Sequence, residues 1–152
     1  MPAQRLKEFL DGNKVKYVTI SHSRAYTAPE IAHSAHISGK DLAKTVVVKM
    51  DGKMAMAVMP ANCHIDFDHF RRAAGASKVE LADEGEFKSL FPECEPGAMP
   101  PFGNLYGLDV FVDDHLAKDE EIAFNSGSHT ELVRLAYKDF ERLAKPKKCE
   151  LC

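Results

Sequence analysis

The run Leu42–Met50, Asp51-Gly52, Lys53–Pro60 constrains the fold of this chain more than any other segment. Two apolar stretches rich in valine and methionine flank a dipeptide that tolerates positive φ at both positions, which is what a two-residue hairpin turn demands. The pair is expected at the centre of a β-sheet.

Other elements can be placed around it. Leu6, Phe9 and Leu10 share helical spacing after Pro2, and Gly12-Asn13 can close that helix before Val15 to Ile20 alternates as a strand. Thr27-Ala28-Pro29-Glu30 has the form of a capping box and predicts a short helix. Asp66 can cap a helix carrying Phe67 and Phe70, with Gly75 at its end, and Lys78 to Ala82 reads as a short strand. A further short helix holds Phe87, Leu90 and Phe91. Tyr106 to Asp113 and Glu121 to Ser126 read as a second strand pair joined by a polar stretch. Residues 130–145 fit either one helix or a strand to Ala136 followed by a helix that Pro146 stops, and periodicity leaves both open. Strands interspersed with short helices predict an α+β fold around a mostly antiparallel sheet.

Composition limits the function. The chain has 152 residues, 45% of them hydrophobic and 28% charged, enough for one domain with its own core and unlike a collagen, coiled-coil or disordered sequence. Lys and Arg total 20 against 23 Asp and Glu, a net charge of −3, which argues against coating duplex DNA but leaves a local contact with an RNA end open. No apolar run approaches the roughly 18 residues of a membrane span, and Met1-Pro2-Ala3-Gln4-Arg5 does not lead into a signal-peptide core, so a cytoplasmic protein with no membrane partner is expected. Cys63, Cys94, Cys149 and Cys152 are scattered, and a disulfide framework is not expected in a reducing cytosol. The expected layout is a domain at residues 1–145 and a flexible tail at 146–152. His22, His33 and His36 and the lone Cys149-x-x-Cys152 fall short of a zinc ligand set, so neither metal nor cofactor is expected.

Three features could carry chemistry. Period-two alternation puts Lys44 on the strand face of Val46, Val48 and Met50, the expected core side. An inward ammonium snorkels, pairs, or meets an anionic ligand; a strand-end lysine reaching solvent is the plain alternative. The loop Gly97 to Gly103, with Pro100, Pro101 and Phe102, is too rich in proline and glycine for regular structure and is either a shaped pocket wall or a surface turn. Asn125-Ser126-Gly127-Ser128-His129-Thr130 is a polar turn that could aim backbone N–H groups at a developing oxyanion. Ser128 and His129 are sequence neighbours and no nucleophile-elbow motif occurs, so serine hydrolase chemistry has no support.

Taken together, Lys44-Thr45 opening an apolar strand, Gly97-x-x-Pro100-Pro101-Phe102-Gly103 in the middle and Gly127-Ser128-His129 before the last strand resemble the YbaK/ProX-type aminoacyl-tRNA deacylase family, which includes relatives of the prolyl-tRNA synthetase editing domain. The resemblance runs from about Val15 to Leu143. It implies a single α+β domain with a mixed, barrel-like sheet flanked by helices, and it favours strand then helix at the C-terminus. It also implies metal-independent hydrolysis of the ester joining a wrong amino acid to the terminal adenosine. The substrate would be the acceptor end of a mischarged tRNA, such as proline tRNA carrying alanine, cysteine, serine or threonine, with prolyl-tRNA synthetase a second candidate partner. On this pattern Lys44 binds the terminal phosphate or ribose, Gly127 and Ser128 offer backbone donors and His129 orients the substrate. Gly97, Pro100, Pro101, Phe102 and Gly103 form the pocket wall, Tyr26 and Thr45 line it, and the substrate's own ribose hydroxyl positions the water. No general base is assigned. The rival is a non-catalytic module of the same fold that docks on a synthetase or an RNA end.

Overall fold

In the computed structural model, which describes residues 4–21, 41–95 and 98–152, the chain runs α1 (Gln4–Gly12), β1 (Tyr17–Ser21), β2 (Leu42–Met50), β3 (Lys53–Pro60), α2 (Phe67–Ala74), β4 (Val79–Leu81), α3 (Glu84–Phe87), β5 (Asp109–Asp113), β6 (Glu121–Asn125), β7 (Glu131–Ala136), α4 (Tyr137–Ala144) and β8 (Lys147–Cys149). The capping box at Thr27, together with Tyr26, Gly97 and His22, His33 and His36, lies outside the described residues.

The central hairpin forms in the expected register, from Met50↔Lys53 to Ala43↔Pro60, with Asp51 at φ 50° and Gly52 at φ 85° in its turn. The Asp51 carboxylate also accepts the N–H groups of Ser77 (3.0 Å) and Lys78 (2.8 Å), which aims the chain into β4. One sheet holds all eight described strands in the order β1-β7-β6-β2-β3-β5-β8, with β4 added to β2. Pairs β1–β7, β6–β7, β2–β3 and β2–β4 are antiparallel; β2–β6, β3–β5 and β5–β8 are parallel. The sheet is therefore mixed and mostly antiparallel, and residues 131–144 are strand then helix.

The first helix ends at Gly12 with Asn13 closing it, as expected: Asn13 Nδ2 donates to Phe9 O at 2.7 Å, and Lys14 follows in the left-handed region (φ 56°). Three expectations are corrected. β5 and β6 do not pair with each other: both are buried along most of their length, and each sits between two neighbours, β5 beside β3 and β6 beside β2. Residues 146–152 are not a free tail, nor is the chain without disulfides. β8 pairs with β5, Leu151 is 0% exposed, and Cys152 is bonded to Cys63. An apolar side chain one residue from the end supplies the reason, because Leu151 completes a core that would otherwise be open.

That core has two parts, since the hairpin is covered on both faces. One face of β2 and β3 (Ala43, Val47, Met56, Val58) meets Leu6 and Leu10 of α1, Phe140 of α4 and the inward residues of β5, β6 and β7. The other (Val48, Ala55, Ala57, Met59) meets Phe70 of α2, Phe111 and Leu151. Helix α2 starts and stops as expected: Asp66 Oδ1 accepts His69 N–H at 3.0 Å, and Gly75 turns left-handed at φ 69°. No described helix is long and apolar enough to cross a membrane.

Phe102 occupies the middle of the larger core, its ring 5.7 Å from Phe9, 5.7 Å from Phe124 and 5.5 Å from Phe140. The following residue must be glycine, because a Cβ on Gly103 would stand 2.7 Å from Leu108 O and 2.8 Å from Val110 Cγ2. Gly103→Ala is accordingly expected to lower unfolding stability by about 1–3 kcal/mol in a urea titration, the usual cost of overpacking. Gly12→Ala, whose Cβ would meet nothing within 4 Å, should leave the midpoint unchanged or raise it.

Candidate active site

The edge of β2 that faces β6 and β4 is shared between them. β6 pairs with Leu42 and Ala43, and β4 pairs with Val48, Lys49 and Met50. On this edge residues 44–47 run between the two with no strand paired to them among the described residues, and Ala82 N–H donates to Val47 O at 3.1 Å where β4 gives out. A cleft of about 420 Å³ opens at this gap, between Thr45, Val46 and Val47 on one side and Leu81, Ala82, Phe87 and Met99 on the other, with Asp83 and Glu84 also in its lining. Alternation along β2 means that the cleft wraps the strand edge, taking Thr45 and Val47 from one face and Val46 from the other. Thr45 Oγ1 is buried there without a hydrogen-bond partner among the described residues.

Lys44 shares a face with Val46, Val48 and Met50, as alternation requires, but that face covers the smaller core. The larger core takes the odd positions, Ala43 and Val47. Lys44 therefore does not line the cleft wall beside Thr45; it leaves the strand on the opposite side, half-buried. Burial depresses its pKa below the ordinary lysine value, and among the described residues no carboxylate pairs with it. One step beyond the Ala43↔Phe124 pairing, Asn125 comes level with Lys44, and its Oδ1 is also buried without a hydrogen-bond partner among the described residues. The site thus holds a desolvated cation and a lone amide oxygen on adjacent strands.

Two loops close this end of the sheet and are tied together. Glu95 N–H donates to Gly127 O at 2.7 Å, and Gly127 N–H donates to Ala98 O at 2.9 Å. Gly127 has φ 115°, a backbone that a side chain would strain. Its amide is committed to Ala98, so the expected oxyanion donor at Gly127 is instead a tie holding the two loops in register. Ser128 Oγ lies 3.2 Å from Thr130 Oγ1 and accepts Thr130 N–H at 3.4 Å. His129 is 4% exposed, with Nε2 3.9 Å from Glu95 Oε2.

Pro100, Pro101, Phe102 and Gly103 are all buried. Phe102, expected in a pocket wall, sits in the larger core, Gly103 packs against Leu108 and Val110, and Met99 is the loop's described contribution to the cleft. Sequence reasoning singled out neither Met99 nor Glu95, and took Asn125 only as the start of the polar turn. Asn125 carried a signal, a polar residue ending an otherwise apolar strand. Glu95 carried none beyond membership of the proline-rich loop, because its meeting with His129 depends on the fold.

A family model described as the aminoacyl-tRNA editing domain matches residues 22–143. The multifunctional Ser/Thr-tRNA deacylase ProXp-y of Escherichia coli (strain K12) is 26% identical over 148 residues, covering 94% of this chain and 88% of that protein. A proline–tRNA ligase of Bacillus mycoides is 27% identical over 88 residues, 58% of this chain and 15% of the ligase. The fold also matches the crystal structure of a candidate trans-editing enzyme for prolyl-tRNA synthetase with a TM-score of 0.82 at 21% identity, over 98% of this chain and 95% of that one. A model match spanning the free strand edge, Lys44 and both tied loops shows that the chain belongs to the aminoacyl-tRNA editing domain family.

Proposed function

We propose that this chain is an aminoacyl-tRNA deacylase that acts in trans, hydrolysing the ester of a mischarged tRNA in the cytoplasm. The observation that carries the reading is the half-buried Lys44, without a carboxylate partner among the described residues, on the edge of β2 between its β6 and β4 pairings and next to Asn125 and the Gly127 turn. A desolvated ammonium with no counter-ion among the described residues is suited to an anionic ligand, and the acceptor end of tRNA brings phosphate.

Ester hydrolysis passes through an anionic tetrahedral intermediate, which collapses by expelling the ribose oxygen. Lys44 holds the terminal phosphate or ribose, and the backbone N–H of Ser128 supports the developing oxyanion. His129, held near Glu95, orients the aminoacyl group, while the neighbouring ribose hydroxyl positions the attacking water. Thr45 Oγ1 offers a hydrogen bond to a polar group in the cleft, which suits a small hydroxylated amino acid. The E. coli relative, matched over most of both chains, is named for serine and threonine; the ligase match supports proline tRNA as carrier and prolyl-tRNA synthetase as partner.

A deacylation panel tests this directly. Proline tRNA carrying alanine, cysteine, serine, threonine or proline is incubated with the protein in EDTA, and selective loss of one or two non-cognate amino acids is expected. No acceleration on any of them, combined with tRNA binding, would leave the non-catalytic module.

Lys44→Met separates function from folding. Loss of an electrostatic contact of this kind costs about 10²-fold in rate. The stability sign is opposite: a lysine whose folded pKa is depressed destabilises the fold below that pKa, and the penalty disappears as pH rises through it towards 10.5. The variant should therefore unfold at an equal or higher urea midpoint at pH 7, with the gap closing at alkaline pH, while deacylation at pH 7 collapses.

A further inference from the structure

A second cluster of reactive groups lies just past the C-terminal end of β3, the end whose Met59 and Pro60 pair with Lys44 and Ala43, where the C-terminal segment packs. Cys63 follows β3, Cys152 ends the chain after β8, and their Cα atoms are 5.9 Å apart. Asp113, the last residue of β5, completes the group: its carboxylate oxygen and the two sulfurs all lie within 4.8 Å of one another. A cavity of about 390 Å³ opens on these three, lined also by Asn62, His115 and Asp119.

Asp113 is the informative member. It is 0% exposed, and burying a carboxylate is expensive unless something compensates its charge. Oδ1 accepts Leu151 N–H at 2.9 Å and faces Cys152 Sγ at 3.6 Å; Oδ2 accepts His115 N–H at 3.0 Å and lies 2.9 Å from His115 Nδ1. A disulfide alone makes no use of a buried anion beside it. Two thiolates and a carboxylate converging on a cavity, with an imidazole attached, are a donor set for a borderline-soft dication that accepts sulfur, nitrogen and oxygen ligands in tetrahedral geometry.

We propose that, with the Cys63–Cys152 bond reduced, Cys63, Cys152 and Asp113 bind a divalent cation of the zinc type, and that the disulfide is the form that excludes it. The fourth position falls to water from the cavity, while His115 holds Asp113 through Nδ1, 2.9 Å from Oδ2. Reduction by a dithiol or a phosphine adds two electrons and two protons to the sulfur pair, the reductant leaving as its disulfide or phosphine oxide. Binding then releases the two thiol protons to solvent, forms two metal–sulfur bonds and leaves Asp113 ionised throughout. The sulfur donor paired with Cys152 is thus Cys63, brought in by β3, and not its sequence neighbour Cys149. None of its donors takes part in the deacylation proposed above, so the assignment stands or falls without that reading.

The test uses full-length protein carrying Cys94→Ser and Cys149→Ser, so that only the proposed sulfurs remain. After reduction by a phosphine and removal of trace metal, Co²⁺ is titrated in and then displaced by Zn²⁺. The expected result is one Co²⁺ per chain with sulfur-to-cobalt charge-transfer absorption, displaced by one Zn²⁺. Cys63→Ser and Cys152→Ser should each lose that absorption, and Asp113→Asn, which still accepts the Leu151 N–H, should weaken binding by about tenfold or more. The oxidised protein should bind none. Absence of the absorption in the reduced protein, its persistence in either serine variant, or unchanged affinity in Asp113→Asn would overturn the assignment.

Discussion

The β2–β3 hairpin is buried on both faces, and that double burial organises the rest of the molecule. A two-stranded ribbon that apolar cannot remain at an edge or face water, so each outer edge takes a strand and each face takes a layer of side chains. β5 lies along β3, and β6 and β4 divide the edge of β2 between them. Helices α1 and α4 cover one side, α2 and the C-terminal segment the other. The four residues from Lys44 to Val47 break this pattern because no described strand lies along their edge opposite β3, and the cleft forms there.

A gap in a sheet edge exposes main-chain polar groups and would invite pairing with another chain. Here the two tied loops guard its neighbourhood. Phe102 anchors one loop in the aromatic cluster, Gly127 shapes the other, and the reciprocal Glu95–Gly127 and Gly127–Ala98 bonds make their positions interdependent. The Gly127 amide, donated to Ala98 O, keeps the loop of Met99 in register with that of Ser128 and His129. Preorganisation of this sort places strain and commitment in the residues around a site so that the groups facing the ligand need not move.

Much of this was legible in the residues themselves. The Asp51-Gly52 turn, the Asp66 cap, the Gly75 stop and the unusual position of Lys44 follow from local rules, because each depends on a few neighbours in sequence. What local rules misplace is pairing and burial at a distance. Tyr106–Asp113 and Glu121–Ser126 have the look of a hairpin, yet the edges of β2 and β3 compete for them and win. The C-terminal segment reads as polar lysines and two thiols, and only the fold reveals a vacancy the size of Leu151. Phe102 sits in a motif that invites a ligand role, but an aromatic ring is worth more in a core that lacks tryptophan.

The two faces of β2 then account for how one short segment can serve both stability and chemistry. Ala43 and Val47 commit one face to the larger core, and Val48 commits the other to the smaller one, so the backbone between them is held from both sides. Lys44 and Thr45 project in opposite directions from that rigid stretch, one as a cation held partly out of water and the other as a hydroxyl without a described partner. Neither arrangement improves folding; each leaves polar capacity unused that a methionine or valine would not. Residues that violate local stability on both sides of a well-supported strand are best explained by a ligand that supplies the missing partners.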